Sequence, residues 1–456
     1  MADWTLQQIQ QLAPDAASMQ AGQGLAKPSK WHSLGRTERL LWGECQGSGA
    51  NPYQVRVDVQ DAAYKCSCPS RKLPCKHALA LLVLMVDGAV PPSAAAGAAS
   101  ANAVPAWVSE WSGNRAKRTE ARETKAGTTA TGDPQAQAKR AEKRESRVQA
   151  GIEQLETWLS DIVARGLAAA RSQPVSFWTQ MAARQVDAQA PGLARRVRAL
   201  GDVAAGPQWQ TRLLSGLARL QLLLDAYRNL ERLPAPLAAE VRQLIGWSQD
   251  QEAVRGSEPV RDHWTVLARR QTEDEQLRVQ RTWLHGQRSQ RFALILEFAV
   301  GAQPLPATFV TGQCLDAELV YFEGALPLRA LEKMRHVTAD ARLAAPVPVD
   351  VATLQAQHAA RLAVNPWLER WPVMLGPVIA LCVGERLYLE DSTGRRVAGV
   401  AGFRHGWNLL ALSGGAPVAV FGEWDGESLE PMTVQRGDRW FTLVQLAELP
   451  LLAQVA

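Results

Sequence analysis

The chain has few cysteines and few histidines, six and seven among its 456 residues, and it has no long apolar run. Its longest purely apolar stretch, Ala78 to Val86, is about half of the roughly 20 residues that a helix needs to cross a bilayer. A membrane-spanning helix is therefore not expected. The first residues, MADWTLQQIQ, lack the cationic start and apolar stretch of an export signal, which points to a cytoplasmic protein. Catalytic signatures are missing as well: there is no phosphate-cradling G-x-x-x-x-G-K-[ST], no G-x-S-x-G elbow, no H-E-x-x-H and no dinucleotide fingerprint. His263, His285, His336, His358 and His405 stand singly, as surface or core histidines do. The acidic string from Thr272 to Glu275 reads as a polar turn. The chain is expected not to be an enzyme; for catalysis by its C-terminal region no residue can be nominated.

What is present is ordinary globular material. Apolar residues make up 46% and charged residues 21%, close to the usage of soluble domains, and the length suggests about two to four domains. The formal net charge is +5. Between Arg115 and Arg147 the basic residues are Arg115, Lys117, Arg118, Arg122, Lys125, Lys139, Arg140, Lys143, Arg144 and Arg147, and the acidic ones Glu120, Glu123, Asp133, Glu142 and Glu145. That segment carries the whole excess, so a broad footprint for a polyanion would have to lie there.

The pattern divides the chain into residues 1–89, 90–147, 148–250 and 251–456. Residues 90–147 form a basic, low-complexity linker, rich in Ala, Ser, Gly and Thr, with too little apolar surface to offset chain entropy. Its last part, QAQAKRAEKRESRVQAG, consists of good helix formers that can extend the helix that follows. In 148–250, Ile152, Leu155, Leu159, Ile162 and Val163, and later Leu213, Leu214, Leu217, Leu220 and Leu224, recur at three- and four-residue steps. Pro174, Pro191, Pro207 and Pro234 punctuate them as helix starts or connectors. About five helices in an antiparallel bundle are expected. In 251–456, His263–Arg269, Leu277–Leu284 and Phe292–Val300 read as a β-meander around the polar turn QTEDE. A helix is expected near Val351–Val364, then short strands (VIALCVG, RLYLED, PVAVFGEW) between glycine-rich turns, forming a small antiparallel sheet or barrel, in one or two subdomains. The expected class is α+β and multidomain.

The most informative string is YKCSCPSRKLPCKHALALLVLMVDG, from Tyr64 to Gly88. Cys66 and Cys68 are two apart and so face the same way at an extended strand end. The residues PSRKLP return the chain to Cys75 and His77. Four N and S ligands complete a tetrahedron with no open position for substrate, so one structural zinc ion is expected. A redox dithiol and chance proximity are the alternatives; the third cysteine and the histidine in this order favour the metal. Upstream, QVRVDVQ and AAYKC suggest a hairpin through Asp61. Downstream, a helix from about Lys76 to Asp87 ends at Gly88 and, apolar on most sides, should be buried against the hairpin and another element. Lys65, Arg71, Lys72 and Lys76 surround the ligands, either balancing the site's net negative charge or touching a nucleic acid or protein partner. Cys45, Cys314 and Cys382 stand alone, and Cys382 reads as a small buried hydrophobe.

The arrangement C-x-C, six residues, C-x-H, after a hairpin and opening a helix, resembles the SWIM zinc finger family. The resemblance covers about Tyr53 to Gly88 and implies a ββα finger with Cys66, Cys68, Cys75 and His77 as zinc ligands. The whole layout resembles the long bacterial SWIM-containing proteins, for which the family context implies association with AAA ATPases and von Willebrand A proteins. Three functions follow as expectations. The first is a protein-interaction adaptor, favoured by the closed finger and by sixteen tryptophans, any exposed one of which would mark a contact hot spot. The second is DNA or RNA binding through the lysines of the finger and the basic linker. The third is catalysis by the C-terminal β region.

Overall fold

The computed structural model describes residues 4–47, 51–59, 63–70, 72–93, 104–115, 134–274, 277–300, 305, 309–336, 344–437 and 439–443. The N-terminal unit is larger than a ββα finger. Strands β1 (Trp31–Arg36), β2 (Leu40–Cys45), β3 (Tyr53–Asp58) and β4 (Ala63–Cys66) form an antiparallel four-stranded sheet in chain order. The expected hairpin is β3–β4, with Val55 opposite Cys66; its corner at Asp61 lies outside the described residues. Helix α1 (Leu6–Leu12) starts on a Thr5 capping box, and α2 (Ala16–Leu25) on the side chain of Asp15. Helix α3 (Lys76–Val86) ends where Gly88 takes a φ of +71°.

Ala78 to Leu84 are buried without interruption, because α3 packs on the sheet through Leu41, Val55 and Val57 and on α1 and α2 through Ile9, Leu12 and Met19. A hairpin alone could not cover a helix that is apolar on every side. Residues 4–45, as α1, α2, β1 and β2, supply the missing cover, which the ββα expectation had not included. The unit closes with Ser93 N–H donating to the Arg36 carbonyl.

The segment expected as a linker is partly helical. Helix α4 spans 106–115 and brings Trp107 beneath the Arg56 guanidinium, 5.1 Å from the ring centre. Helix α5 (Pro134–Arg165) carries the linker's last part into the bundle as one continuous helix. Residues 116–133 lie outside the described residues, and most of the basic excess falls instead on Arg115 and on Lys139, Arg140, Lys143, Arg144 and Arg147 of α5.

The bundle comprises α5, the short α6 (Leu167–Arg171), α7 (Val175–Asp187), α8 (Pro191–Ala205), α9 (Trp209–Arg228) and α10 (Ala235–Ile245). Pro174 and Pro234 precede helices and Pro191 occupies a first turn, where its missing N–H costs nothing. Ile152, Leu155, Leu159, Ile162, Leu213, Leu217, Leu220 and Leu224 are core residues, whereas Val163 and Leu214 are exposed. Each of those two directly follows a core residue and is rotated out of the stripe by 100° per residue.

After α11 (Gln251–Arg255), β5 (Val260–Asp274), β6 (Leu277–Gly286), β7 (Phe292–Val300), β8 (Cys314–Tyr321) and β9 (Ala330–Arg335) pair in the order β7-β6-β5-β8-β9. The β5–β6 ladder runs to Asp274 opposite Leu277, so most of the QTEDE string is strand and not turn. Leu294 bridges Arg329 in parallel, bringing the two edges together. Helix α12 (Val351–Val364) follows, then β10 (Trp371–Val383), β11 (Arg386–Asp391), β12 (Arg396–Gly399), α13 (Gly406–Ser413), β13 (Val418–Trp424), β14 (Ser428–Arg436) and β15 (Arg439–Thr442). Their order is β12-β11-β10-β13-β14-β15, and β12 also pairs with β14 in parallel.

Numbered within each unit, the first five strands of both read 1-2-3-5-4-1, with the third and fifth parallel, and β15 adds a sixth strand beside β14 in the second unit. This is the Greek-key topology of an OB barrel. Helix α13 sits between the third and fourth strands of the second unit, and β10 changes partner at a bulge between Leu375 and Val378. At that bulge Gly376 has a φ of +156° and leaves no room for a Cβ beside Ala419. The fifth strands share a pattern, Leu331-Glu332-Lys333-Met334 on β9 and Leu429-Glu430-Pro431-Met432 on β14.

The barrels join along a seam. Trp283, Leu294, Leu267 and Ala268 of the first pack on Met374, Phe421, Met432 and Trp440 of the second. In the seam the Glu423 carboxylate accepts from Trp283 Nε1 at 2.8 Å, Arg281 Nη2 at 2.9 Å and Arg370 Nη1 at 3.1 Å, while Glu430 pairs with Arg270 and Arg370. The bundle holds both barrels: Gln243 and Gln249 donate to the Glu323 carbonyl, Arg212 pairs with Glu427, and Trp367 enters the bundle core with Nε1–H on the Arg219 carbonyl. The N-terminal unit meets the first barrel through Val310, and Gln8 donates to the Gly312 carbonyl.

Burial alone would raise the Glu423 pKa, but Arg281, Trp283 and Arg370 outweigh it and hold the carboxyl below its ordinary value. Its contribution to stability is therefore complete above about pH 4.3 and is lost as pH falls through the lower folded-state value. Glu423→Ala should cost about 2–3 kcal/mol at pH 7, less than a fully buried pair because both arginines reach solvent. Denaturant unfolding at pH 7 and at pH 3 checks this, with the gap between wild type and variant narrowing in acid.

Candidate metal centre

Each ligand is placed by a different local device. Cys66 ends β4, and Ser67 N–H continues the ladder onto the Gln54 carbonyl, which fixes the strand end from which Cys68 follows. The chain then turns at Ser70, whose hydroxyl accepts from Lys72 N–H at 3.2 Å and donates to its carbonyl at 3.1 Å. Cys75 is the N-cap of α3, extended at φ −74° and ψ 163°, and its carbonyl receives the Leu79 N–H. His77 lies in the first helical turn, buried, with the Tyr53 ring 4.9 Å away, centre to centre.

The three Sγ atoms and one imidazole nitrogen all lie within 4.8 Å of one another. Nδ1 of His77 is 3.8 Å from Cys66 Sγ and 4.0 Å from Cys75 Sγ. A tetrahedron with Zn–S arms of about 2.3 Å has edges of about 3.8 Å, so the donor set fits zinc in chemistry and in size.

The thiols compete for one negative charge. Hydrogen bonds from Cys66 and His77 and the Ala78 N–H draw the Cys75 pKa down to about 4 despite burial. The Cys66 thiol is pushed far up, first by that same bond to Cys75 and then by burial, and burial raises Cys68. A dication in their midst removes the conflict and holds all three as thiolates.

The structure brings together all four sequence-predicted ligands. Of the four basic neighbours, Lys65 and Lys76 are exposed, Lys72 is tied to Asp15 at 2.6 Å, and Arg71 lies outside the described residues. The Asp15 pKa falls to about 2 through that bond and the Ser18 N–H. Sequence reasoning missed Asp15, although an Asp before a helical run is an N-cap signal. It also missed Tyr53, whose place over His77 depends on the sheet register, and Leu73, 48% exposed between Lys72 and the buried Pro74. Cys45 is buried, while Cys314 and Cys382 are only partly so; burial pushes all three thiols up.

A closed Cys3His set at the junction of a β-hairpin and a helix defines a zinc-finger protein. Residues 53–84 match the SWIM zinc finger, and residues 143–245 match the SWIM-associated four-helix bundle domain. The chain thus carries both a SWIM finger and its associated bundle. No curated protein and no solved structure matches it. No helix among the described residues is long and apolar enough to cross a membrane.

Cys75→Ser removes the anionic ligand while leaving at the start of α3 a residue well able to cap the helix, so its effect reports on the metal. Zinc content should fall from one equivalent per chain to well below it, and residues 53–88 should become the first site of proteolysis, read by elemental analysis and limited proteolysis. Full zinc occupancy and unchanged cleavage in that variant would overturn the ligand assignment.

Proposed function

We propose that the protein is a cytoplasmic protein-interaction adaptor whose zinc ion shapes a contact surface and performs no chemistry. Leu73 carries the reading. This half-exposed leucine sits on the loop that the metal ligands brace at both ends, with Lys65 and Lys76 exposed nearby. An exposed apolar side chain on a loop held at both ends by metal ligands, in a segment rich in lysine, has the character of an interface anchor. The complementary partner has an apolar socket with acidic edges. The AAA ATPases and von Willebrand A proteins that the family resemblance implies are the candidates. A closed four-ligand site supports the non-catalytic reading, since it leaves no coordination position for substrate or activated water.

Co-purification of the full-length protein with AAA ATPases and von Willebrand A proteins from its own source is the test. Leu73→Asp should lower recovery of the bound partner at least tenfold while leaving zinc content at one equivalent. Undiminished recovery with Leu73→Asp would remove Leu73 as the anchor, and failure to bind either class would exclude those partners.

A further inference from the structure

The two barrels differ in what covers the same face. In an OB topology, ligands lie across the outer side of the second and third strands. On the first barrel that side carries Trp283, Phe292, Leu294 and Leu296, and the second barrel covers it. On the second barrel the matching strands are β11 and β12, whose inward residues Leu387, Leu389 and Val397 fill the core. Their outward residues are Arg386, Tyr388 and Glu390 on β11 and Arg396 and Ala398 on β12, continued on β10 by Ile379, Leu381 and Val383. Cross-strand partners set Tyr388 between Leu381 and Ala398. Arg386 lies 5.7 Å from the Tyr388 ring centre, and Val383 is 62% exposed.

A second observation points to the same end of the barrel. All sixteen tryptophans fall within the described residues, and Trp407, at 63%, is the one that is mostly exposed. It lies in the first turn of α13, where Gly406 packs against Cys382 and Leu387 and so seats the helix start beside the β10–β11 turn. Exposed Arg404 precedes it. The outward face therefore offers the Tyr388 ring with Arg386 and Arg396, the latter already paired with Glu390, and the start of α13 at the adjoining end of the barrel adds the exposed Trp407 and Arg404.

We propose that this face of the second barrel binds single-stranded nucleic acid, with Tyr388 and Trp407 stacking on bases and Arg386 and Arg404 tracking phosphates. Interleaved aromatic and cationic side chains on an open barrel face match the two needs of an unpaired strand: a platform for base faces and countercharge for the backbone. A duplex hides its base faces and does not fit the stacking residues. The site is separate from the zinc-braced loop and independent of the adaptor reading.

The test is fluorescence anisotropy of the zinc-loaded full chain with labelled oligodeoxythymidylate of about 15 nucleotides, within the site sizes of such barrels, against a duplex of equal length. Saturable binding to the single strand is expected, with Tyr388→Ala and Trp407→Ala each weakening it about tenfold while the unfolding midpoint stays unchanged. Arg386→Ala and Arg404→Ala should each reduce the slope of log affinity against log salt by about 0.7. The double change Lys65→Ala/Lys76→Ala, on the finger, should leave affinity unaltered. No binding at low salt, equal affinity for duplex, preference for a neutral oligosaccharide such as maltohexaose, or binding indifferent to Tyr388→Ala would each overturn the proposal.

Discussion

Three sulfur atoms and an imidazole nitrogen lie within 4.8 Å of one another at the point where β4, the loop after it and the start of α3 converge. Without a cation these groups contend for protons, and the thiolate at the helix start gains charge at the expense of its neighbours. With a dication the contention becomes four bonds, and free energies of about 10–16 kcal/mol for zinc in small fingers show how much order such bonds can impose. The turn at Ser70, the exposure of Leu73 and the setting of α3 against three other elements all depend on that junction being fixed. Helix α3 is in turn the centre of the N-terminal core, so the metal's influence reaches α1, α2 and the sheet through Leu79, Leu82 and Met19.

The other units depend on burial, with one electrostatic knot. Glu423 in the barrel seam is nearly dry, yet two arginines and an indole N–H satisfy it, and the seam aligns β5 and β6 with β13 and β14. Covering the outer face of the first barrel leaves the second barrel's equivalent face as the open one. Duplication of a fold thus yields two different surfaces, one spent on internal cohesion and one presented to solvent.

Local chemistry was readable from the sequence where it repeats at short range. The metal ligands, the bounds of α3 and α12, the proline-marked helix starts and the β5–β7 meander all follow from spacing within a few residues. Arrangements set by distant partners were not readable. The extra strands β1 and β2 needed α3 as a reason to exist, and the Gln271–Asp274 string is polar because it is strand at a rim, not because it turns. The barrel closures rest on parallel pairings, Ala398 with Ser428 and Leu294 with Arg329, that no local pattern encodes. The L-E-x-M echo in the fifth strands is too short to announce a repeat before the topology shows it. For the site, Tyr53 and Leu73 were invisible because register and exposure, not residue type, give them their roles.

The account stands or falls on a closed zinc site that shapes a surface and does no chemistry. X-ray absorption at the zinc edge of the purified full-length protein tests it most directly. Three sulfur scatterers at about 2.3 Å and one nitrogen at about 2.0 Å, unchanged when partner or nucleic acid is added, are the predicted result. A coordination shell containing a water oxygen, or one that loses a sulfur when a ligand binds, would contradict it and make the centre an open, reactive one.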